Sequence, residues 1–385
     1  MKEGLQSSIK APLWTKDFCL ICLTNLFLFA GFQMLMPTLP LYVEMLGGGR
    51  VAVGAVGGIF AISAIIVRPI AGKLLDQGGR KKIFVMGLIV CLIAIFGYPW
   101  ASGLVILIIV RLIHGVGFGM ATTSAGTIAS DLIPSNRLGE GMGYYGLTNT
   151  FSMAIAPAMG LLLLYYTNFT TLFIVAAVFS IFALLTSFSI TCPEFERAET
   201  TKSYKYLEPA AFLPSIVMLF TVLPFGAIVS FISLYAIEQG IENIGFFFTV
   251  YAMALAVTRP LSGTLSDRHG YHKVIVPGSF SMATAMYVMS IANNHYLFAI
   301  AAIMFGLGIG LVMPSMQALT IRNVAPNRRG AANGTFFSAF DIGMGLGSLI
   351  WGVVAHFYGY SIMYMITIIP VLIGLAIFLR YYKKT

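Results

Sequence analysis

The chain has 385 residues, of which 58% are hydrophobic and 10% charged, with a net charge of +9 and a mean hydropathy of +0.89. A soluble chain carries about 25% charged residues, so most of this exterior faces something other than water. That excludes a soluble enzyme, a disordered chain and a secreted disulfide scaffold. The apolar runs, such as 83–100 and 172–190, are continuous, unlike the alternating strands of a transmembrane β-barrel, and the expected class is an all-α, polytopic membrane protein.

The first apolar run, 18–32, follows Lys2, Lys10 and Lys16, as in the basic region of a signal peptide. No small-residue cleavage site follows, and the run continues through Gln33 to Pro37 and Pro40, which reads as a retained first helix. Further runs lie at about 51–71, 83–99, 103–127, 141–165 and 169–190. After a polar stretch come runs at about 210–237, 243–260, 273–293, 296–321, 331–355 and 359–379. One span needs about 20 apolar residues. The expectation is therefore twelve transmembrane helices in two six-helix bundles, 1–190 and 210–385, joined by a linker at 191–209. Pro69, Pro157, Pro260, Gly117 and Gly308 fall inside runs, where spanning helices tolerate them. The Cys19-x-x-Cys22 spacing lacks a nearby histidine or a second cysteine pair, so these are read as packing residues and no metal is expected.

An even number of spans puts both termini on one side. Lys73, Arg80, Lys81, Lys82, Arg137, Arg197, Lys202, Lys205, Arg268, Lys273, Arg328, Arg329, Arg380, Lys383 and Lys384 all fall on that side, against Arg50 opposite. The asymmetry predicts cytoplasmic termini and a protein of the cytoplasmic membrane. The positive charge is thus topogenic, and neither nucleic acid nor nucleotide is an expected partner.

A shift of 191 residues superposes the chain on itself. It aligns Arg68-Pro69, Gly72, Leu74, Asp76, Gly79 and Lys82 with Arg259-Pro260, Gly263, Leu265, Asp267, Gly270 and Lys273. It also aligns Gly115, Gly117 and Gly119 with Gly306, Gly308 and Gly310, and Asn136, Arg137, Gly139 and Gly143 with Asn327, Arg328, Gly330 and Gly334. Six spans separate equivalent points, so the halves read as parallel repeats about an axis along the membrane normal, with a cavity between them.

The segment 72–82, Gly-Lys-Leu-Leu-Asp-Gln-Gly-Gly-Arg-Lys-Lys, fits the G-x-L-x-D-x-x-G-R-[KR]-[KR] signature of the major facilitator superfamily. A degenerate copy lies at 263–273, with Tyr271 and His272 in place of bases. On these motifs the chain resembles a twelve-helix member of that superfamily over almost its whole length. Two glycines permit a sharp reversal, and an acid such as Asp76 can sit against a helix N-terminus of the other half. By resemblance that helix is the eleventh, starting near Gly330, and Arg80 pairs with Asp131. The resemblance implies a conformational latch of Gly72, Asp76, Gly79, Arg80 and Asp131, with Gly263, Asp267 and Gly270 in the second copy. Arg111-x-x-x-Gly115-x-Gly117 resembles a motif of the fourth helix. Its glycines predict close helix packing, since no strand precedes them as a nucleotide loop requires. Ala156-Pro157-Ala158-Met159-Gly160 is a weakened form of the G-P-x-x-G-G motif of proton-coupled drug exporters, departing from it at Ala156 and Leu161.

Two charges stand out for depth. Arg111 is about eight residues, or roughly 12 Å, inside its run, where a charge costs on the order of 3 kcal/mol and needs a partner or a cavity. Asp341 is about ten residues into the eleventh run. Burial disfavours an ionised carboxylate and a nearby arginine favours it. Asp341 is therefore a candidate proton carrier, and Arg111 a candidate to modulate it or to hold an anionic substrate group. A static ion pair joining the halves is the plainer alternative. His114 shares the face of Arg111 and can titrate near neutrality. Gln33 and Asn149 are candidate cavity residues, with Asn25 and Gln317 nearer its cytoplasmic mouth; each could equally bond helix to helix.

The expected function is secondary transport of a small organic molecule by alternating access, coupled to protons and directed outward. The alternative on the same scaffold is a proton-coupled importer of a sugar or organic acid. A membrane-embedded enzyme or receptor is disfavoured, because no H-E-x-x-H, nucleophile elbow or G-x-x-x-x-G-K-[ST] occurs. No cofactor is expected. The partners are substrate, protons and lipid, with the chain a monomer.

Overall fold

The computed structural model describes residues 12–48, 50–193, 207–241, 244–322 and 324–382. Among these every regular element is helical and there is no strand. That is what a bilayer requires of uninterrupted apolar runs, because a helix satisfies its backbone N–H and C=O groups internally. The helices are α1 (Lys16–Leu35), α2 (Leu39–Met45), α3 (Arg50–Leu74), α4 (Arg80–Gly97), α5 (Leu104–Leu132), α6 (Leu138–Tyr166) and α7 (Phe169–Phe188). They continue with α8 (Pro209–Glu238), α9 (Gly245–His269), α10 (His272–Ser290), α11 (His295–Arg322), α12 (Arg329–Ile366) and α13 (Ile368–Tyr381). Local chemistry sets several starts. The Thr15 hydroxyl accepts from the Phe18 N–H to cap α1, and Asn168 Oδ1 accepts from the Thr171 N–H to cap α7, each cap contributing about 1 kcal/mol.

Among the described residues, ten helical stretches are long and apolar enough to cross a membrane. One of them, Pro326–Tyr381, has 56 residues, far longer than one bilayer core demands. It is interrupted at Gly359, whose φ of 77° no ordinary side chain adopts comfortably. The helix His272–Ser290 falls short of that apolarity, carrying His272, Lys273, Pro277 and several hydroxyl residues. The bases Lys2, Lys10, Arg197, Lys202, Lys205, Lys383 and Lys384 lie outside the described residues, as does most of the expected linker.

The repeat is visible atom by atom. A Cβ on Gly117 of α5 would lie 2.6 Å from the Cys91 nitrogen of α4 and 3.0 Å from the Gly87 carbonyl. Its counterpart Gly308 of α11 lies against Met282 and Gly278 of α10 in the same way, and each of those residues is 191 positions on. Gly115 rests on the Phe60 carbonyl of α3, and Gly306 on the Tyr251 carbonyl of α9. Helix α5 thus packs between α3 and α4 as α11 packs between α9 and α10, and small residues are what allow such close approach without a hydrophobic driving force between helices in lipid. Helices α8–α13 bury one core around Phe247, Phe298 and Phe305. Within α1–α7 a second core gathers Tyr98, Leu172 and Phe173. The two sets meet along α3 with α12 and along α6 with α9.

Candidate functional site

One end of the molecule is strapped shut by residues of the repeated motif. The Asp76 carboxylate accepts from the N–H groups of Gly330 and Ala331 at 2.7 and 2.9 Å, on the first turn of α12. Unsatisfied N–H groups and the helix dipole make that turn a natural anion site. The backbone reaches it because Gly72 has no side chain; a Cβ there would lie 2.6 Å from the Gly330 carbonyl. Arg80 donates to Asp131 at 2.7 Å and to the carbonyls of Leu75 and Pro326. Asp131 also takes Arg329 from the other set of helices at 3.2 Å.

The sharp reversal expected from the glycines takes a different form. Residues Leu75–Gly79 form one turn of π-helix, and Gly79 has φ −95°, which any residue adopts. Gly72 therefore serves close approach, not turning. In the second copy Gly270 does take a positive φ of 85°, ending α9.

That second copy straps α9 to α6. Asp267 accepts from the N–H groups of Gly139 and Glu140 at 3.2 and 3.0 Å, and Gly263 lies against the Gly139 carbonyl. The counterparts of Arg80 and Asp131 are Tyr271 and Arg322, which meet as a cation over a ring at 5.6 Å. Burial, with Asp267 adding to it and Arg322 opposing it, pushes the Tyr271 phenol up to about 12, so a neutral phenol stands where the first strap has the charge of Arg80.

Two turns further into the membrane from Asp76 lies the ion pair that joins the two sets of helices. Arg68 Nε donates to Asp341 Oδ2 at 2.7 Å. Its Nη1 donates to Thr122 at 2.9 Å and Thr123 at 3.4 Å, and Phe337 lies under the guanidinium at 5.3 Å. Arg68 is buried, while the Asp341 side chain keeps 14% of its surface open, so the acid is the accessible member. The expected association of Arg111 with Asp341 is not formed. Arg111 donates to the Val56 carbonyl at 3.1 Å and to the Tyr98 hydroxyl at 3.4 Å, and lies 4.3 Å from the centre of the Phe60 ring. His114 is buried with it, Nδ1 sharing a 2.8 Å hydrogen bond with the same Tyr98 hydroxyl. Asp341 pairs with Arg68 and not with Arg111, because α5 turns Arg111 back into its own bundle.

The remaining candidates divide. Asn25 is buried and bonds helix to helix, donating to Thr148 at 2.7 Å and accepting from the Tyr145 hydroxyl at 3.0 Å. Gln33 and Asn149 are half-buried on α1 and α6. Gln317 is buried with its Nε2 unpartnered, facing Gly126 of α5. Arg68 and Arg259 are two further buried arginines inside the helices that counting depth did not single out. The signal was present, since the repeat begins on Arg68-Pro69 and Arg259-Pro260, and Arg68 is eight residues, about 12 Å, inward of Asp76. Arg259 donates to the Gly146 carbonyl and to Met313 sulfur at 3.6 Å, and has no carboxylate partner among the described residues.

Comparison with known proteins shows a shared family and fold. The family model described as Major Facilitator Superfamily matches residues 21–242 and 215–385. The staphylopine export protein of Staphylococcus aureus is 26% identical over 91% of this chain and 92% of its own length. The multi-drug resistance efflux pump PmrA of Streptococcus pneumoniae is 25% identical over 92% of this chain and 93% of its own. An uncharacterised MFS-type transporter of Methanocaldococcus jannaschii is 25% identical over 95% and 98%. Among solved structures, FucP in its outward conformation superposes with a TM-score of 0.82 at 16% identity, covering 97% of this chain and all of that one, which establishes a common fold.

Proposed function

The chain belongs to the Major Facilitator Superfamily as a transporter of its drug-efflux-like branch, and from that premise we propose that it exports a small organic molecule by proton-coupled alternating access. The Arg68–Asp341 pair carries the reading. It links α3 to α12 across the boundary at which the halves must part, and its acid is the partly accessible member. An ionised Asp341 holds Arg68 and keeps the halves together. A proton arriving at Asp341 removes the charge that Arg68 answers, leaving the arginine to Thr122 and Thr123 and the boundary free to open.

Charge in the loops supports the orientation. The strapped end carries Lys73, Arg80, Lys81, Arg268 and Arg328, which by the positive-inside rule is the cytoplasmic end. We therefore read twelve spans, counting two in Pro326–Tyr381 and one in His272–Ser290, with cytoplasmic termini and a closed cytoplasmic gate. The straps at Asp76 and Asp267 are then what hold the outward-facing state. The printed activities of two relatives, staphylopine export and multi-drug efflux, favour outward transport.

In proteoliposomes, Asp341→Asn should abolish substrate flux driven by a pH gradient while still folding, at an unfolding temperature lowered by the loss of the anion beside Arg68. Undiminished gradient-driven flux in that variant would overturn proton coupling through Asp341. Counterflow of the same substrate, which needs no gradient, should survive.

A further inference from the structure

The two copies of the repeat differ at one chemically important position. Around Arg68 stand Thr122, Phe337 and Asp341; the equivalent residues around Arg259 are Met313, Gly146 and Thr150. The correspondence holds in space. Arg68 donates to Thr122 as Arg259 donates to Met313, and Arg68 lies over Phe337 where Arg259 reaches the Gly146 carbonyl. The counterpart of the acid is neutral, and Thr150 turns its hydroxyl to the same Gly146 carbonyl at 3.3 Å.

Arg259 is left with a charge and no carboxylate among the described residues. It is 6% exposed, and its Nε has no hydrogen-bond partner. Gln317, one turn along α11 from Met313 and hence on the same face, is also buried with an unpartnered Nε2. A Cβ on Gly126 of the opposite half would lie 3.5 Å from that amide nitrogen, so Gln317 faces the boundary between the halves. Both orphaned groups are N–H donors, and a guanidinium cannot accept. Burying an unpaired charge and unmet donors together is costly unless something answers both. The deep charges point the same way. Three arginines, Arg68, Arg111 and Arg259, and one acid, Asp341, which pairs with Arg68, are the charges buried or half-buried in the middle of the helices among the described residues.

We propose that Arg259, with Gln317 one turn along α11 from its neighbour Met313, receives the anionic oxygen group of the cargo, so that the transported molecule is an organic acid carried as its anion. A carboxylate accepts only, and it meets a guanidinium through short, charge-assisted hydrogen bonds. The substrate then completes the second copy of the repeat as Asp341 completes the first. One arginine keeps a carboxylate built into the chain; the other takes the one that travels. This inference rests on the transporter reading above and adds its substrate class.

Benzoate and benzamide differ in charge and hardly in shape, and serve as the test pair. With the full chain in lipid nanodiscs, benzoate should raise the thermal unfolding temperature and benzamide should not, as binding to the folded state stabilises it. Arg259→Gln should weaken benzoate binding by about tenfold or more, and Arg259→Lys should keep part of it. Equal responses of the wild type to the two compounds, or discrimination that survives in Arg259→Gln, would overturn the proposal. Should Arg259→Gln fail to fold, Gln317→Leu removes a donor without touching the charge and should still weaken benzoate several-fold; an unchanged affinity refutes the placement. Asp341→Asn separates the two readings. Lost gradient-driven flux in that variant with benzoate discrimination in the wild type leaves both standing; lost flux with no discrimination refutes the anion site alone, and intact flux refutes proton coupling through Asp341 whatever benzoate does.

Discussion

The strap at Asp76 and the strap at Asp267 are copies of one design under different chemical load. Both place a carboxylate on the first turn of a helix from the other half, through two backbone N–H groups, with a glycine making room. They diverge one turn further on. Arg80 and Asp131 form a buried ion pair, tied to the opposite half through Arg329 and Pro326. Tyr271 and Arg322 form a cation–ring contact, with Arg322 exposed. A buried charge cannot lose its partner cheaply, whereas an exposed one turns to water. The comparison teaches that sequence symmetry can survive while the energetic load moves to one side, so the first strap should govern stability and the second should act mainly through its helix-terminal carboxylate.

The widest gap between the copies should appear at equivalent positions of the pair. Asp131→Ala strands Arg80 in a buried setting and should destabilise by about 3–5 kcal/mol. Arg322→Ala, its counterpart, should cost about 0.5–1 kcal/mol. Denaturation of both variants in the same detergent measures the difference, and equal losses would break the comparison. Next in size is Gly72→Ala. It drives a Cβ to 2.6 Å from the Gly330 carbonyl, where both atoms belong to backbones that cannot swing aside. About 1–3 kcal/mol of overpacking is expected, read as a lowered unfolding temperature and loosened α3–α12 docking. A smaller change should follow Asp76→Asn and Asp267→Asn. Each keeps an acceptor but removes the charge that the helix terminus favours, worth about 0.3–2 kcal/mol. Spin-label distances across the strapped end should show more opening for Asp76→Asn, the more deeply buried of the two; a larger effect of Asp267→Asn would reverse the assignment of load. A change of similar size is expected from Phe60→Leu. It removes the ring 4.3 Å from Arg111 but leaves the Val56 carbonyl, and should cost up to about 2 kcal/mol of stability.

Much of the site was legible because its cues are local. The Gly72–Lys82 segment announces an acid, two glycines and a base at fixed spacing, and the 191-residue shift finds their second copies. The depth of Asp341 follows from counting along an apolar run. What stayed hidden was pairing. Arg111 and Arg68 are both buried arginines, and no periodicity says which helix face meets Asp341 once two bundles dock. Asn25 shows the same limit from the other side: a deep amide reads alike whether it lines a cavity or, as here, bonds α1 to α6.

The sequence by itself determined that this is a helical membrane protein built from a repeat, because apolar run length, loop charge and a recurring motif are properties of the chain read in order. Only the tertiary structure decided which charges meet. Arg68 with Asp341, Arg80 with Asp131 and Arg329, and Arg259 with no acid among the described residues depend on how two bundles are rotated and pressed together. Contacts between residues as much as 273 positions apart are set by that docking and by the glycines that permit it, not by any local preference of the backbone.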